Sequence, residues 1–419
     1  MNANGQQLYG LSRLLTTVRM GFHREVLTLS LQKKLAMNFA LNKSKLTKHN
    51  GKIYTNTFTP FYPSLAYDRF LKGVLSVAEG KPVPLVVNFA ITSRCPCNCW
   101  HCSFSDRNKK DGMTLKELKG AIQSVLELGT SVIGITGGEP LLRKDLEQII
   151  ESIGERAMPI FFTTGTNLTA SRVKSLKNAG LVIPVVSLDH YDEKIHDKGR
   201  NKKGAYRSAL KAIEMFQAEG FYVGVSFVPT KKLLSSPEEA FKVIEFFKDL
   251  GINDMRLTSP ILSGELTCRP EEKLSPEQIQ TIFKIQEMCV KKRGYPGVFA
   301  YDYFESKMVY GCGAGYNYMF IDSMGNLSPC DFTMISLGNI KKTPLKQVWK
   351  KTSQRFCSPG CDCYANVISN SVSKMKSKTW PLNEKNSQKI LDKHPSFNSD
   401  ELPEFYRRMG LGKIKNKKK

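Results

Sequence analysis

The sequence lacks the features that would place it across a membrane or outside the cell. It has no run of about 18 apolar residues, which a transmembrane helix needs. Its first residues, MNANGQQLYGLSRLL, lack the apolar region and small-residue cleavage site of a secretory signal. We therefore expect a cytoplasmic protein, whose thiols stay reduced and whose clustered cysteines bind metal or do redox chemistry rather than form disulfides.

Acidic residues are also scarce. The 419 residues include 38 Asp and Glu against 62 Lys and Arg, which gives a net charge of +24. The excess lies at the ends: Glu25 is the one acidic residue among the first 50, and the chain finishes KIKNKKK. Such a charge indicates an anionic partner, either nucleic acid or an acidic membrane surface, or else a solubility strategy. We expect residues 371–419 to form a basic, solvated tail.

Residues 8–40 have the apolar spacing of a helix. The stripe consists of Leu8, Leu11, Leu15, Val18, Phe22, Val26 and Leu29, and basic residues occupy the other face. This pattern is typical of a helix at a membrane interface. A helix that docks its stripe on the main domain has the same pattern, and we favour docking. Residues 43–64 are polar and contain proline, which predicts a linker or extended arm. The whole of residues 1–82 is then a basic amphipathic extension, with contact to an anionic membrane through residues 1–45 as an alternative.

From residue 83 short apolar runs alternate with amphipathic helical patterns. Six such runs predict strands, at 84–92, 131–136, 159–165, 182–189, 221–230 and 254–262. A helical pattern follows each of them, and alternating strands and helices favour a parallel sheet covered by helices. The sheet could close partly into a barrel or lie flat, and in both cases functional residues gather where the strands end.

The first of these strands leads into CPCNCWHC, which places four cysteines within residues 95–102. Four thiolates could hold one tetrahedral zinc, although structural zinc sites more often draw two pairs from separate turns. Alternatively, Cys95, Cys99 and Cys102 could bind three irons of a [4Fe–4S] cube and leave the fourth iron open. The second strand ends in TGGEP at 136–140, where two glycines allow a ligand to approach the backbone closely.

The triplet Cys-x₃-Cys-x₂-Cys, followed one β-α unit later by Gly-Gly-Glu-Pro, resembles the radical S-adenosylmethionine (radical SAM) superfamily. The resemblance implies a core at residues 83–295 with the fold of a partial (β/α)6 TIM-like barrel, an α/β structure. It also implies that Cys97 is not a ligand. It further implies a cluster and SAM site made by these residues: Cys95, Cys99 and Cys102 at the cluster, His101 at the adenine, Gly137, Gly138 and Glu139 at the amino group, and Ser187 and Arg200 at the ribose and carboxylate.

The same resemblance implies the chemistry. SAM binds the open iron, one electron cleaves its S–C5′ bond, and the 5′-deoxyadenosyl radical takes a hydrogen atom from the substrate. The electron would come from a donor such as ferredoxin or flavodoxin. No protein general base is needed for that step, so the chain is expected to be an iron–sulfur oxidoreductase although it has no obvious catalytic triad.

A second cysteine group follows the core. Its members are Cys312, Cys330, Cys357, Cys361 and Cys363. YMFID and GNLSP, between the first two, predict a β-hairpin. The segment 296–370 resembles the SPASM/twitch extensions of radical SAM enzymes, which implies one auxiliary [4Fe–4S] cluster bound by Cys312, Cys330 and two of the other three. A structural zinc is the alternative. The remaining Cys268 and Cys289 are expected to be buried small hydrophobes.

The substrate is left open. The basic N-terminus favours a lipid or isoprenoid at a membrane surface, and a ribosomally made peptide is the alternative. Peptide-modifying members often have a small winged-helix-like leader-binding domain, and no strand-rich segment of that kind is predicted within residues 1–82. Two alternatives of other classes remain, namely a nucleic-acid modifying or binding protein and a non-catalytic zinc or electron-transfer protein.

Overall fold

The computed structural model of the chain describes residues 5–104, 112–375, 377, 380–395 and 401–412. Its strands are β1 (Gln6–Gln7), β2 (Thr47–His49), β3 (Lys52–Tyr54), β4 (Val86–Thr92), β5 (Val132–Gly137), β6 (Met158–Thr163), β7 (Ile183–Ser187), β8 (Gly224–Phe227), β9 (Asp254–Leu257), β10 (Gly297–Ala300), β11 (Tyr318–Ile321), β12 (Asn326–Ser328) and β13 (Gly338–Asn339).

The α-helices, which cover both the N-terminal extension and the sheet, are α1 (Gly10–Gly21), α2 (Arg24–Leu27), α3 (Leu31–Leu41), α4 (Leu65–Ala78), α5 (Leu115–Glu127), α6 (Leu146–Glu151), α7 (Ala170–Asn178), α8 (Glu193–Arg200), α9 (Ala205–Ala218), α10 (Lys231–Leu234), α11 (Pro237–Asp249), α12 (Pro276–Lys291), α13 (Tyr301–Phe304), α14 (Leu345–Arg355), α15 (Tyr364–Ser373), α16 (Glu384–Lys393) and α17 (Glu404–Arg408).

A ten-stranded sheet forms the centre of the fold, in the order β10-β9-β8-β7-β6-β5-β4-β11-β12-β13. The strands from β10 to β11 are parallel, whereas β12 and β13 are antiparallel to their neighbours. The six predicted strands are confirmed as β4 to β9, with a helix after each. Because β10 and β13 lie at its two edges, the sheet is an incomplete barrel, and its parallel strands end on one side.

The predicted hairpin of β11 and β12 joins this sheet. Tyr318–Ile321 pairs in parallel with Val86–Phe89 of β4, the strand that leads into the first cysteine loop. The sequence analysis predicted the hairpin but not this pairing, because two short strands remote in sequence leave no local signal of their partnership. The pairing places the second cysteine group beside the first strand of the core.

The N-terminal extension is more structured than predicted. Residues 8–40 form three helices instead of one, because the side chains of His23 and Ser30 accept backbone N–H groups and begin new helices. The strands β1, β2 and β3 form a small antiparallel sheet, which the sequence analysis did not predict. The arm at 43–64 is also packed, with Thr57 donating to the buried Asp254 carboxylate at 2.6 Å.

The apolar face of α1 lies outward, so the docking interpretation of the stripe is wrong. The side chains that share this face are between 47 and 69 % exposed, namely Leu11, Leu14, Leu15, Val18 and Phe22. From the predicted stripe only Leu8 is buried, and Val26 and Leu29 are partly buried. None of the helices in the described parts of the chain has the length and apolarity needed to cross a bilayer.

The C-terminal region contains packed helices where a solvated tail was predicted. Phe405 and Tyr406 of α17 are buried against Tyr316 and the helices α3 and α4. Ile390 of α16 packs in the hydrophobic cluster that contains Cys312. The KIKNKKK segment at 413–419 lies outside the described residues. Cys289 is buried as predicted, whereas Cys268 is exposed.

Candidate radical SAM site

A cavity of about 170 Å³ lies where β4 to β9 end. The predicted residues that line it are Cys95, Cys97, Cys99, His101, Cys102, Gly137, Gly138, Ser187 and Arg200. Residues separated by about a hundred positions meet here because parallel strands end on the same side of the sheet. Of the residues expected at the cluster and SAM, only Glu139 does not line this cavity.

Two neighbouring segments fix the cysteine loop. On one side the loop donates backbone hydrogen bonds to the end of α8, from Asn98 to the Arg200 carbonyl at 2.9 Å and from Trp100 to the Gly199 carbonyl at 3.2 Å. On the other side the Gly138 N–H donates to the Thr92 carbonyl at 2.8 Å. These bonds hold the loop in place, so the thiols are positioned by the backbone and not only by a bound metal.

The glycines of TGGEP are required by this close approach. Gly137 has φ +132°, and a Cβ there would lie 2.3 Å from the Thr92 carbonyl oxygen. A Cβ at Gly138 would lie 2.1 Å from the carbonyl oxygen of Arg94. Neither distance is compatible with a side chain, so the two glycines let the turn after β5 pack directly on the cysteine loop.

The thiols differ in their electrostatic surroundings. Cys97 lies between Cys95 and Cys99, and its hydrogen bond to Cys99 lowers the pKa of the Cys99 thiol to about 6. The Arg200 guanidinium contributes to that lowered pKa, with its Nη1 atom 3.7 Å from the Cys99 sulfur. Since iron binds the thiolate, a lowered pKa favours the ligand form.

The carboxylate of Glu139 accepts hydrogen bonds from four groups of the protein. It is completely buried and accepts hydrogen bonds from the Thr163 hydroxyl (2.7 Å) and from the Thr164 N–H and hydroxyl (2.6 Å each). It also accepts the N–H of Leu141 at 3.1 Å. The carboxylate therefore ties the end of β5 to the end of β6, and burial raises its pKa. The pairing of Glu139 with the SAM amino group stays a prediction.

Arg200 and Ser187 lie at the wall of the cavity. The Nε atom of Arg200 is 2.7 Å from a carboxylate oxygen of Asp189, and both side chains are nearly buried. Asp189 also accepts the N–H of Val228 at 3.1 Å. This ion pair anchors Arg200, and the guanidinium meets the cavity between Asp189 and Cys99.

Sequence analysis missed a polar group on the opposite wall. Arg256 donates to the Ser226 hydroxyl and to the Tyr301 hydroxyl, at 3.2 Å each, and Asp331 accepts the Tyr318 hydroxyl at 3.2 Å. Ser226, Arg256 and Asp331 of this group line the cavity, together with Asn88, Thr258, Ser259 and Phe332. Ser226 and Thr258 stand at strand ends. They could have been predicted from the rule that functional residues gather where parallel strands end. Asp331 could not, because it reaches the site only through the pairing of β11 with β4.

The residues present fit an iron–sulfur cluster. Cys95, Cys99 and Cys102 line one cavity, the thiols of Cys95 and Cys99 have lowered pKa values, and the cavity leaves room beside the glycine turn. Within the described residues no three His, Cys, Asp or Glu side chains surround a single point as one metal ion requires. A cube differs from a single ion in offering each thiolate its own iron.

Three cysteines of the second group also meet. Cys312, Cys330 and Cys363 line a larger cavity, and burial raises the pKa of each thiol. A backbone bridge between Cys312 and Gly360 brings the loop 357–363 to this position. The Cys361 sulfur instead contacts the Glu401 carbonyl at 3.4 Å, and Cys357 does not line the cavity. Buried thiols of this kind fit an auxiliary cluster, since metal binding removes the protons that burial otherwise retains.

Comparison with known proteins agrees with this geometry. A family model of the radical SAM superfamily matches residues 89–232, and the SPASM model, an iron–sulfur cluster-binding domain, matches residues 312–366. The chain therefore contains a radical SAM domain and a C-terminal SPASM domain, and it is a radical SAM enzyme. These domains imply a [4Fe–4S] cluster, SAM and auxiliary iron–sulfur.

Several characterised proteins are similar to the chain. An AdoMet-dependent heme synthase of Methanosarcina barkeri is 26% identical over 293 residues, which cover 64% of this chain and 82% of that protein. The antilisterial bacteriocin subtilosin biosynthesis protein AlbA of Bacillus subtilis is 24% identical over 292 residues, 66% of this chain and 63% of that one. The crystal structure of Streptococcus suis SuiB bound to precursor peptide SuiA superposes with a TM-score of 0.56 at 17% identity, covering 90% of this chain and 88% of that one. The similarity to the SuiB structure shows the fold alone.

Proposed function

We propose that this radical SAM enzyme abstracts a hydrogen atom from a membrane lipid or isoprenoid at an anionic membrane surface. The observation that carries the choice of substrate is the outward apolar face of α1, whose leucines, valine and phenylalanine are exposed. Large exposed apolar patches mark interaction surfaces. The exposed cations Arg19 and Arg24 lie on or next to the same helix, and an amphipathic helix with basic residues is typical of an anionic bilayer surface.

The residues at the core cavity have the following proposed roles. Cys95, Cys99 and Cys102 would hold the cluster, with Cys97 outside the ligand set. Gly137 and Gly138 would present backbone carbonyls to the SAM amino group, and Ser187, Arg200 and the His101 backbone would contact the rest of SAM. When bound, the cluster supplies the electron that cleaves SAM to the 5′-deoxyadenosyl radical, which takes a hydrogen atom from the substrate.

Cys312, Cys330 and Cys363 are the proposed ligands of one auxiliary [4Fe–4S] cluster. Cys357 or Cys361 would complete the set. Five cysteines suffice for one such cluster and not for two, since each cube uses up to four thiolates. Ferredoxin or flavodoxin remains the proposed electron donor.

The test uses the reconstituted full chain under anaerobic conditions with SAM and dithionite. Vesicles are prepared from the lipids of the source organism grown in deuterated or in ordinary medium, and the mass of the 5′-deoxyadenosine is measured. We expect deuterium in the product from the first vesicles only, because the abstracted atom comes from lipid. Deoxyadenosine that forms without deuterium would contradict the lipid substrate while leaving the SAM chemistry intact.

A peptide substrate is the second candidate. The small sheet of β1 to β3, packed with α1 to α3 ahead of the core, supplies strands that the sequence analysis had not expected there. The similarity to AlbA and SuiB points the same way. Deuterium transfer from a labelled precursor peptide, and not from lipid, would favour this candidate.

The alternative that the protein modifies or binds nucleic acid stays a prediction. A salt-sensitive mobility shift with tRNA would test it.

A further inference from the structure

A second cavity, larger than the one at the cluster, extends beneath the N-terminal helices. It has a volume of about 520 Å³, within the range of small-molecule binding sites. Most side chains that line it are apolar or aromatic, among them Phe58, Phe70, Val74 and Phe299. Such a wall offers few polar partners, so it fits an apolar ligand.

The outer end of this cavity opens at the exposed surface of the helices. Val18, Phe22 and Leu27 line the cavity and are also between 47 and 68 % exposed to solvent. Lys34 lines the same end. A hydrocarbon chain leaving a bilayer could therefore pass from one apolar surface to the next without crossing water, with a cation beside an anionic headgroup.

The inner end reaches the second cysteine group and adjoins the cluster cavity. Cys312, Cys330 and Cys363 line it, and the two carboxyl side chains in its wall, Glu305 and Asp331, lie at this end. Asp331 and Phe332 line the cluster cavity as well. These two residues are therefore the boundary between the apolar cavity and the SAM site.

We infer that the 520 Å³ cavity binds the hydrocarbon chain of a lipid drawn from an anionic bilayer, through the opening at Val18, Phe22 and Leu27, and presents it to the SAM site at Phe332. This inference rests on the proposed function and specifies the substrate class further. The inference adds a lipid-binding site with a defined entrance. A protein that only binds to the surface of a vesicle does not need such a site.

The first experiment measures lipid extraction by the reconstituted full chain. The probe is a vesicle of phosphatidylglycerol and phosphatidylcholine that contains pyrene-labelled phosphatidylglycerol, whose excimer emission falls when single lipids leave the bilayer. Ala40→Phe fills the cavity from α3, and Val74→Phe fills it from α4. Ala218→Phe, at an exposed position on α9, is the matched control.

We expect the unaltered chain and Ala218→Phe to extract the probe. The variant Ala40→Phe should sediment with the vesicles as the unaltered chain does. The amount of lipid that it extracts should fall by at least about tenfold, because the added ring occupies the site. If Ala40→Phe does not fold, as judged by circular dichroism, Val74→Phe provides the same test from another helix. Extraction at the unaltered rate by a folded, filled variant would overturn the inference, as would no extraction by the unaltered chain.

The second experiment tests whether the exposed apolar face of α1, next to the entrance, binds the bilayer. The double substitution Leu11→Ser with Leu15→Ser removes exposed apolar surface only, and Val367→Ser, at an exposed position on α15, is the control. We expect vesicle binding to fall by about tenfold or more, since each leucine would lose its burial in the bilayer. Unchanged binding would overturn the entrance at α1. SAM cleavage by the unaltered chain without lipid is assayed in parallel, so a failure of the radical chemistry is distinguished from a failure of lipid binding.

Discussion

The walls of the two cavities differ in the structural elements and the residue types that form them. The cluster cavity is formed by strand ends of the sheet, with backbone turns, hydroxyls, thiols and the cations Arg200 and Arg256 in its wall. The larger cavity is formed mainly by helices and loops outside the six β-α units, with mainly apolar walls. Under the proposed function, the sheet provides the radical chemistry, while the N-terminal extension and the SPASM region provide the space for a substrate.

The cavities also differ in how firmly their parts are held. In the cluster cavity, backbone hydrogen bonds from Asn98, Trp100 and Gly138 fix the loop, and a buried carboxylate joins two strand ends. In the larger cavity, the outer wall is α1 to α3, which pack on the rest of the chain through apolar side chains such as Met20 and Ala36, while Lys45 after α3 adds a buried polar anchor. Substitutions in each cavity should therefore have separable effects.

The largest expected effect comes from Cys99→Ser. Loss of a cluster ligand should bring SAM cleavage below detection and reduce the iron content from about eight to about four per chain, because only the auxiliary cluster remains. The measurement is iron content together with 5′-deoxyadenosine. Cys97→Ser is the matched control and should keep both values. An equal loss in Cys97→Ser would mean that the ligand set is not Cys95, Cys99 and Cys102.

Substitution of Cys363→Ser should affect the other cavity alone. We expect the loss of about four irons per chain while SAM cleavage in the absence of substrate continues, since the first cluster is untouched. Iron analysis and electron paramagnetic resonance of the reduced protein are the measurements. The exposed Cys268 gives the control Cys268→Ser. If Cys363→Ser retains all its iron, the assignment of Cys363 to the auxiliary cluster is wrong.

Lys45→Met tests how the N-terminal extension is attached. Lys45 Nζ donates to the carbonyls of Lys292 and Tyr295 at 2.8 and 2.7 Å, and burial lowers its pKa from 10.5 to about 8. Between these two pKa values the unfolded chain holds a proton that the folded chain does not. This residue's contribution to stability is therefore present above pH 10.5 and is lost as the pH falls through 8.

The unaltered chain should accordingly gain up to about 3 kcal/mol from this residue as the pH rises through that window. Lys45→Met should lack this gain, and Lys48→Met, at an exposed neighbouring position, should keep it. Urea unfolding below pH 8 and above pH 10.5 measures the difference. The same pH dependence in Lys45→Met and the unaltered chain would show that another group is responsible.

The smallest effect is expected from Glu139→Gln. The amide keeps the shape of the side chain but places an NH₂ group against the N–H or hydroxyl of Thr164, so one buried donor loses its acceptor. Such a loss costs about 1 to 2 kcal/mol of unfolding free energy. Urea unfolding is the measurement, with the exposed Glu151→Gln as control. If Glu139 paired with SAM instead, the substitution would weaken SAM binding and leave stability unchanged.

Much of the fold could be predicted because its signals are local. The runs that became β4 to β9 are apolar, short and separated by helical patterns, which suffices for a parallel sheet. Cys95, Cys99, Cys102, Gly137 and Gly138 were predicted for the same reason, since a tight loop and a close turn need particular residue types at fixed spacing. The hydrogen bonds of Glu139 were missed, because its donors lie on another strand.

The sequence by itself determined the chemistry of this protein: which thiols lie within one loop, where the strands end, and that the N-terminus is basic and amphipathic. Tertiary structure alone decided which way the apolar face of α1 points, that Lys45 is buried rather than exposed, and that Asp331 and Phe332 stand between two cavities. Periodicity fixes which residues share a face of a helix, but the partner of that face depends on segments hundreds of residues away. Those contacts are selected by packing of the whole chain.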